Sequence, residues 1–471
     1  MTLSDQTTLP TGTLVSQVMQ EIRQRITERS LTAGEKLPSI RHFSQKMQVS
    51  KSTVVEAYDR LVAEGIIQSR RGSGFYVIGH LPPLSLAEIA PRLDRAVDPF
   101  WVSRQSLEAS ADFLKPGCGW LPPDWMPEDS LRRGLRALSR SNGHTLTDYG
   151  SPLGLPALRT LLSRRMDAQG IEATPDQILL TESGTQAIDL LCRFLLEPGD
   201  TVLLDDPCYF NFHALLRAHR VKVVSVPYSP NGPDLEAFAQ VLEQSHPRLY
   251  ITNSTLHNPT GASLSPLVAH RLLKLAEQHD LTIIEDDIFA DFEQAPSTRL
   301  AALDGLERVI HIGSFSKTLS AAVRCGFIAV RPDWIDKLVD LKIATSFGNG
   351  DFSAELVLNI LQNGSYRKHM EELRKRLAQA MNQTSSQLRA LGFTPWIEPA
   401  AGLFLWCSLP AHLDVPGTGA EIARKALAQK IILAPGNVFS PSGNAEKFFR
   451  FNVAQSLSPR CIKVLQEILQ S

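Results

Sequence analysis

One lysine in the second half of the chain has the surroundings of a reactive amine. Lys317 lies in the small-residue segment GSFSKT (313–318), and Arg324 follows it seven residues later. A lysine attacks a carbonyl only when its pKa is low enough to leave the amine neutral, and a neighbouring arginine lowers that pKa. The pair therefore predicts a lysine that forms a Schiff base with an aldehyde.

Three consecutive acids precede this lysine in the chain. Glu285, Asp286 and Asp287 end an apolar run, and Asp286 lies 31 residues before Lys317. Carboxylates in such a setting are costly unless a cation meets them. We expect Asp286 to pair with the nitrogen of a pyridinium ring, which it would keep protonated so that the ring withdraws electrons.

Three further segments carry groups that suit a flat, phosphorylated ligand. The turn ESGTQ (182–186) opens a helix, where amides and hydroxyls hold phosphate. Tyr209 can stack on a ring, and Asn258, in the turn NPTG, can bond a ring hydroxyl. Taken singly, these features are equally a plain helix cap, a core aromatic and a self-bonded turn. The predicted phosphate ligands are Ser183, Gly184, Thr185, Ser314 and Arg324.

Short β-rich runs that alternate with amphipathic stretches must position these residues. The runs cover residues 178–181, 201–205, 221–226, 248–252, 282–286, 308–313 and 325–330. The alternation predicts βαβ units and a mostly parallel sheet, whose ligands bind beyond the carboxyl ends of the strands. Because the residues above follow successive runs, they predict a site for pyridoxal 5'-phosphate, with Lys317 and Asp286 as its catalytic groups.

An arginine near the C-terminus is placed to bind a carboxylate. Arg450 stands between two phenylalanines in an apolar run, FRF (449–451). A guanidinium in such an apolar setting is stabilised by a carboxylate, which an amino-acid ligand would supply in a bidentate pair. A structural salt bridge is the alternative that the sequence leaves open.

The first 80 residues have the pattern of a winged helix-turn-helix. Apolar stripes predict three helices, the second and third capped by Ser39 and Ser50, and the third ending at Gly65. Two apolar runs around RRGSG (70–74) then predict a β-hairpin with a basic tip, which favours DNA over a protein partner. The predicted DNA contacts are Arg41, Lys51, Ser52, Thr53, Arg70 and Arg71.

Composition points to an ordinary soluble chain. It is 43% hydrophobic and 21% charged, with no apolar run near the ~20 residues of a membrane helix and no signal-peptide pattern. Six scattered cysteines without a CxxC pair indicate free thiols and no metal site, so we expect a cytoplasmic protein. Residues 1–80 carry a net charge of +3 within a chain of net charge −1, too small an excess to identify a DNA binder alone.

The predicted organisation is an α+β head followed by an α/β region. Residues 1–78 form the winged helix-turn-helix and residues 79–111, where prolines appear and periodicity weakens, form a linker with short helical pieces around 84–96. Residues 112–471 form the cofactor-binding domain, with a large subdomain of about 145–340 and a small one made of about 341–471 together with 112–144. Whether the linker packs on that domain stays open.

Both regions resemble known families. The segments LPSIR (37–41), VSKSTV (49–54), AYDRL (57–61) and RGSGF (71–75) are similar to GntR-family DNA-binding domains. That family often has arginine at position 51, so Lys51 is expected to contact either phosphate or a base. Residues 112–471 resemble the fold type I pyridoxal-phosphate enzymes of the aspartate aminotransferase family, and the whole chain resembles the MocR subfamily of regulators.

The resemblance implies further roles for single residues. In the family, a tyrosine in the motif that Tyr149 begins here, YGSPLG (149–154), reaches the phosphate in the partner subunit, which implies a homodimer. The family also carries a tyrosine shortly after the site aspartate, where this chain has Ile288 and Phe289. Loss of that hydrogen bond, about 1–3 kcal/mol, disfavours efficient turnover.

Three functions follow as hypotheses. The first is a regulator that binds double-stranded operator DNA and senses pyridoxal phosphate or its adduct with a small amino compound. The second is a working aminotransferase whose head only localises or oligomerises it. The third is a sensor of the cofactor alone.

Overall fold

The computed structural model describes residues 13–28, 30–70, 72–78, 99–140, 146–348, 350–415 and 417–470. The chain divides into two compact units, Met1–Glu88 and Ile89–Ser471. Arg71 and the helical pieces predicted around residues 84–96 lie outside the described residues.

The first unit packs three helices against a hairpin. Its elements are α1 (Leu14–Thr27), α2 (Ile40–Met47), α3 (Lys51–Ala63), β1 (Ile67–Arg70) and β2 (Gly74–Val77). Both predicted caps are present, because the Ser39 hydroxyl accepts from His42 N and the Ser50 hydroxyl accepts from Thr53 N. Helix α3 ends just before Gly65, whose φ of +70° suits glycine.

The hairpin of the first unit is the predicted wing. Strands β1 and β2 pair antiparallel, with Arg70 opposite Gly74. Gly74 has a φ of +111°, and a Cβ there would lie 3.2 Å from Lys36 Cε, so a side chain would be both strained and crowded. The guanidinium of Arg70 lies over the ring of Tyr76, 4.4 Å from its centroid.

The second unit is built on an eight-stranded sheet. Its strands are β3 (Ile178–Thr181), β4 (Thr201–Asp206), β5 (Lys222–Ser229), β6 (Gly232–Pro233), β7 (Leu249–Thr252), β8 (Thr282–Asp286), β9 (Val309–Ser314) and β10 (Gly326–Ala329), in the order β3-β10-β9-β8-β7-β4-β5-β6. The pairings from β9 through β8, β7 and β4 to β5 are parallel, whereas β10 and β6 run antiparallel to their neighbours.

The helices of the second unit cover both faces of this sheet and pack on the C-terminal part of the chain. They are α4 (Pro99–Glu108), α5 (Glu128–Leu138), α6 (Pro156–Asp167), α7 (Gly184–Leu195), α8 (Phe210–Ala218), α9 (Leu235–Ser245), α10 (Pro266–Gln278), α11 (Leu300–Asp304), α12 (Pro332–Ser346), α13 (Asp351–Gln362), α14 (Ser365–Ala390), α15 (Thr418–Ala428) and α16 (Pro459–Gln470). Alternate strand residues feed two separate cores: Leu203 and Ile283 join one, and Leu204 and Ile284 the other. Most interior positions of these strands are therefore apolar on both faces, as in buried parallel strands.

A second, antiparallel sheet lies in the C-terminal part of this unit. It contains β11 (Thr394–Pro395), β12 (Phe404–Ser408), β13 (Ala434–Pro435) and β14 (Phe448–Asn452), in the order β11-β12-β14-β13. In this sheet Arg450 of β14 stands opposite Trp406 on one side and Ala434 on the other.

The predicted runs correspond to β3, β4, β5, β7, β8, β9 and β10, and the mostly parallel sheet is confirmed. One detail differs, because β10 opposes the direction of both β3 and β9. All six cysteines are buried and free. Within the described ranges, no helix has both the length and the apolar character needed to cross a membrane, and no group of acids, histidines and cysteines is arranged to hold a metal ion.

Candidate functional site

Lys317 and Asp286 come together at the carboxyl ends of β8 and β9. Burial lowers the pKa of Lys317 to about 8; the charge of Arg450 lowers it further, whereas that of Asp286 opposes the shift. Burial likewise raises the pKa of Asp286 to about 7, and the charge of Lys317 opposes that shift. The two side chains are thus close enough to affect each other's pKa, and the amine loses its proton at a lower pH than an exposed lysine does.

The three consecutive acids have different partners. Glu285 accepts hydrogen bonds from Leu300 N at 2.7 Å and Ala301 N at 2.9 Å, the amino end of α11. Asp287 forms an ion pair with buried Arg299 at 2.9 Å.

Asp286 differs from its neighbours. Its Oδ1 accepts from Ile288 N at 3.3 Å, and no cation of the described chain lies within ion-pair distance of it. It is nevertheless only 2% exposed. A buried carboxylate of this kind fits a ligand that brings its own positive charge, as a pyridinium nitrogen does.

Arg450 is buried without a carboxylate. Its guanidinium donates to Asn258 Oδ1 at 2.8 Å and to Gly117 O at 2.7 Å, and Nε has no partner among the described residues. Burial lowers its pKa to about 10. The ring centroids of Phe404 and Phe439 lie 4.5 and 4.8 Å from its central carbon. The structural salt bridge considered from the sequence is therefore absent from the described chain.

The predicted phosphate turn opens α7. The Ser183 hydroxyl accepts from Gln186 N at 3.1 Å, while Ser183 and Gly184 are buried and Thr185 is exposed. A Cβ at Gly184 would lie 3.4 Å from Ile288 Cγ2, so the turn has little spare room on that side. The amino end of this helix offers amides and a favourable dipole to an anion.

Ser314 and Arg324 lie near the lysine on its own connection. The Ser314 hydroxyl is 2.7 Å from that of Ser316 and donates to Cys325 O at 3.2 Å. Arg324 is exposed, has a φ of +53° and donates to Ala321 O at 3.5 Å. Its charge adds a small part to the lowered pKa of Lys317, whose main cause is burial.

The described geometry brings together six of the residues predicted from the sequence. Arg450 is bonded to Asn258. Burial raises the pKa of the Tyr209 hydroxyl; the charge of Arg450 opposes that rise and the charge of Asp286 adds to it. Together with Lys317 and Arg324, they form one charged cluster. The residues fit pyridoxal phosphate. The amino end of α7 suits its phosphate, the amine of lowered pKa suits its aldehyde, and the carboxylate without an ion pair suits its ring nitrogen.

Tyr149 is not part of that cluster within one chain. It is 86% exposed, and its ring packs against that of Phe347 with the centroids 5.1 Å apart. Its turn is held by Lys342, a buried lysine that donates to Pro152 O at 2.6 Å and to Leu180 O at 2.9 Å. Sequence reasoning missed Lys342, because α12 reveals no sign of these partners.

A glycine-rich loop was also missed. Cys118 lies between Gly117 and Gly119, and a Cβ at Gly119 would lie 3.7 Å from Arg450 Nη2 and 4.0 Å from Lys317 Nζ. The loop therefore lines the space between the amine and the guanidinium. The segment PGCG (116–119) was the available signal, since paired glycines often mark close approach to a ligand.

The position after the site aspartate holds Phe289. Its side chain is 2% exposed and packs edge to face on Phe404, with the centroids 5.5 Å apart. The position is thus filled by a core aromatic without a hydroxyl.

The predicted DNA contacts lie on the first unit. Arg41, Lys51, Ser52 and Arg70 are exposed and Thr53 is half-buried. The hydroxyls of Ser52 and Thr53 lie 2.7 and 2.8 Å from that of Ser50, at the amino end of α3.

Comparison with known proteins agrees with both units. Residues 122–468 match the family "Aminotransferase class I and II", and residues 14–77 match "Bacterial regulatory proteins, gntR family". The chain is 30% identical to the HTH-type transcriptional regulator YdcR of Escherichia coli, with 96% of this chain and 98% of YdcR covered. It is 27% identical to the HTH-type transcriptional regulator NorG of Staphylococcus aureus, over 89% of this chain and 95% of NorG.

Among solved structures, the second unit resembles LysN, the α-aminoadipate aminotransferase of Thermus thermophilus, complexed with N-(5'-phosphopyridoxyl)-L-leucine. The TM-score is 0.69 at 26% identity, over 78% of this chain and 94% of LysN. The chain therefore belongs to the aminotransferase class I and II family and, with its GntR-type head, to the MocR subfamily of transcriptional regulators.

Proposed function

We propose that this protein is a DNA-binding transcriptional regulator whose second unit binds pyridoxal phosphate on Lys317 and senses the cofactor or an amino compound. The single observation that carries the proposal is the pair of Lys317 and Asp286, in a chain that also has a winged helix-turn-helix. Pyridoxal phosphate would supply an aldehyde and an electron-withdrawing ring. Lys317 would supply the neutral amine, and Asp286 would hold a proton on the ring nitrogen.

The remaining site residues have matching roles in this proposal. Ser183, Gly184, Thr185, Ser314 and Arg324 would bind the phosphate, Tyr209 would stack on the ring and Asn258 would contact its hydroxyl. The unpartnered Nε of Arg450 supports an effector that carries a carboxylate, because a buried donor without an acceptor is costly. The effector class would then be an amino acid or a related amino carboxylate.

We also propose that the protein acts as a homodimer. Tyr149 and Phe347 are 86% and 64% exposed and pack on each other, an aromatic pair that a second subunit would cover. Tyr149 would then reach the phosphate in the partner's site. Residues 1–78 would be the DNA-binding domain, 79–111 the linker and 112–471 the cofactor-binding domain.

For the head, we propose that double-stranded operator DNA meets the amino end of α3 and the wing. Arg41, Lys51 and Arg70 are exposed cations, and a helix amino terminus favours phosphate. Arg71, outside the described residues, would extend the same basic wing.

Aminotransferase activity is the second candidate. The presence of Lys317, Asp286 and Arg450 favours it, whereas Phe289 removes the phenol that would bond the ring oxygen. Steady conversion of an amino acid and a keto acid at about 1–10³ per second would support an enzyme, and slow single half-reactions would support a sensor.

The test uses the full-length protein incubated with pyridoxal phosphate. After unbound cofactor is removed by desalting, we expect the visible band of a lysine aldimine from the wild type and no such band from Lys317→Ala. Borohydride reduction and peptide mapping should place the cofactor on Lys317 and leave Lys342 unlabelled. Lys342 is the matched control, since burial lowers its pKa to about 8 as well.

The sensing step is tested by DNA mobility shift with the protein's own upstream region. Pyridoxal phosphate alone and then candidate amines are titrated, which separates a cofactor sensor from an amine sensor. A wild type that stays colourless, or that shifts no DNA under any of these conditions, would overturn the proposal.

A further inference from the structure

We propose that Tyr366 and His369, near the start of α14, are positioning residues for Lys317, which they hold through the adjacent residue Thr318. The inference rests on the proposed function, in which Lys317 binds pyridoxal phosphate. It adds two residues from the 26-residue helix α14 that no sequence motif marked.

Two polar groups of Thr318, its hydroxyl and its carbonyl, are bonded to this helix. The Tyr366 hydroxyl lies 2.7 Å from Thr318 Oγ1, and His369 Nε2 lies 3.0 Å from Thr318 O. Thr318 is 1% exposed and Tyr366 is 4% exposed, so water does not compete for the bond between them, whereas His369 is half-buried. The residue after Lys317 is therefore held at its side chain and its carbonyl.

The Tyr366 hydroxyl is held by a carboxylate that is itself part of an ion pair. This hydroxyl is also hydrogen-bonded to Asp291, whose carboxylate pairs with Arg165 at 2.7 Å. A phenol has one proton, and a carboxylate can only accept, so Tyr366 donates to Asp291 and the Thr318 hydroxyl donates to Tyr366. Each member of this chain of bonds thus has a single allowed direction.

The backbone around Lys317 is tied to the same helix by packing. The ring of Phe315 meets that of Tyr366 edge to face, with the centroids 6.2 Å apart. Arg374, further along α14, donates from Nε to Asp291 O at 2.9 Å. Without these contacts the segment 315–318 would gain freedom, and the lysine amine would reach water more often.

The test compares Tyr366→Phe with Tyr228→Phe in the full chain. Tyr228 is the matched control, because its hydroxyl is buried and has no hydrogen-bond partner among the described residues. Visible absorbance follows pyridoxal phosphate binding, and the rate of cofactor uptake is measured against pH. Uptake needs the neutral amine, so its rate rises through the pKa of Lys317, near pH 8.

We expect Tyr366→Phe to weaken cofactor affinity about five- to tenfold, as loss of the buried hydrogen bond to Thr318 implies. The midpoint of the uptake profile should move to higher pH, towards that of an exposed lysine, because burial is what lowers the pKa. Tyr228→Phe should change neither quantity. Loss of general stability alone would not move the midpoint.

Two further variants test the route through Thr318. Thr318→Val should repeat the effect of Tyr366→Phe, whereas Thr318→Ser keeps the hydroxyl and should retain the wild-type profile. The double variant Tyr366→Phe/Thr318→Val should lose no more than Tyr366→Phe alone, since the bond that Thr318→Val removes is already absent from that variant. If Tyr366→Phe does not fold, the comparison of Thr318→Val with Thr318→Ser tests the same hydrogen bond.

The outcomes separate the two proposals. A wild type that takes up no cofactor overturns the proposed function and this inference with it. A wild type that takes it up normally, beside a Tyr366→Phe protein that behaves as Tyr228→Phe does, overturns this inference alone.

Discussion

Asp286 is a buried carboxylate whose counter-charge is expected from a ligand. Burial raises its pKa from 3.8 to about 7. Between these two pH values, the folded chain therefore keeps a proton on Asp286 that the unfolded chain has lost. The stability linked to that proton is complete below pH 4 and is lost as the pH rises through 7. Without cofactor, the site should therefore weaken the fold at pH 8 more than at pH 5.

The variant Asp286→Asn tests this at the residue scale. Asparagine cannot ionise, so the cofactor-free variant should exceed the wild type in Tm at pH 8, with a smaller difference at pH 5. One pKa unit corresponds to about 1.4 kcal/mol, which implies a gain of a few kcal/mol. The same variant should bind pyridoxal phosphate more weakly.

The neighbouring acid serves as a control for that experiment. Asp287→Asn removes one of the two carboxylates that pair with buried Arg299, the other being Glu293, and breaking a buried pair costs up to about 3–5 kcal/mol. It should therefore lower Tm at pH 8, and by less at pH 5, because burial raises the pKa of Asp287 to about 6 and the pair is partly neutralised there. Equal behaviour of the two variants would contradict the view that Asp286 lacks a cation in the protein.

Phe289 is the residue-scale departure that bears on catalysis. Phe289→Tyr places a phenol where the family has one, and it should speed amino-group transfer in single-turnover assays. A hydrogen bond of about 1–3 kcal/mol predicts roughly a five- to 150-fold gain.

Phe292→Tyr is the matched control, a buried aromatic whose ring centroid lies 6.3 Å from that of Phe289. It should give no gain. An unchanged rate in the Phe289 variant would mean that the missing phenol is not what limits turnover.

At the scale of elements, the two ends of α3 carry cations in different environments. Lys51 is exposed at its amino end, whereas Arg60, near its other end, pairs with Glu56 at 2.6 Å. Because phosphate binds at helix amino termini, Lys51→Ala should weaken DNA binding and Arg60→Ala should not.

Salt titration of the mobility shift decides what Lys51 contacts. A phosphate contact predicts a similar loss on every sequence and a salt slope reduced by about 1. A base contact predicts a loss confined to the operator. No loss on either DNA would remove α3 from the interface.

At the scale of the whole molecule, we propose that a second subunit covers the exposed Tyr149 and that Tyr149 completes the cofactor site of that subunit. Tyr149→Ala and Lys317→Ala each damage a different part of the proposed composite site, so both homodimers should bind cofactor poorly. Mixed dimers regain one intact site, formed by the lysine of one subunit and the tyrosine of the other. Tight cofactor binding should therefore return when the two proteins are unfolded and refolded together.

Size-exclusion chromatography and the mixing of either variant with itself provide the controls. If Tyr149→Ala binds cofactor as the wild type does, or if mixing restores nothing, Tyr149 does not act across a subunit boundary.

Much of the site could be predicted because its information is local. Ser39 and Ser50 cap helices through amides three residues away, and a strand of βαβ units necessarily delivers its last residue to the ligand edge of the sheet. Asp286 and the loop that carries Lys317 followed from this rule. The strand ends needed correction by no more than three residues, although β10 runs opposite to its neighbours.

The sequence by itself thus determined the two-part organisation, the parallel sheet and the residue types at its ligand edge, because hydrophobic period, caps and strand ends depend on neighbouring residues. Only the tertiary structure decided which groups share a partner. Arg450 meets Asn258 across 192 positions, and Tyr366 meets Thr318 across 48. Such contacts depend on how segments far apart in the chain pack together, and no local sequence pattern shows which distant segment a residue will contact.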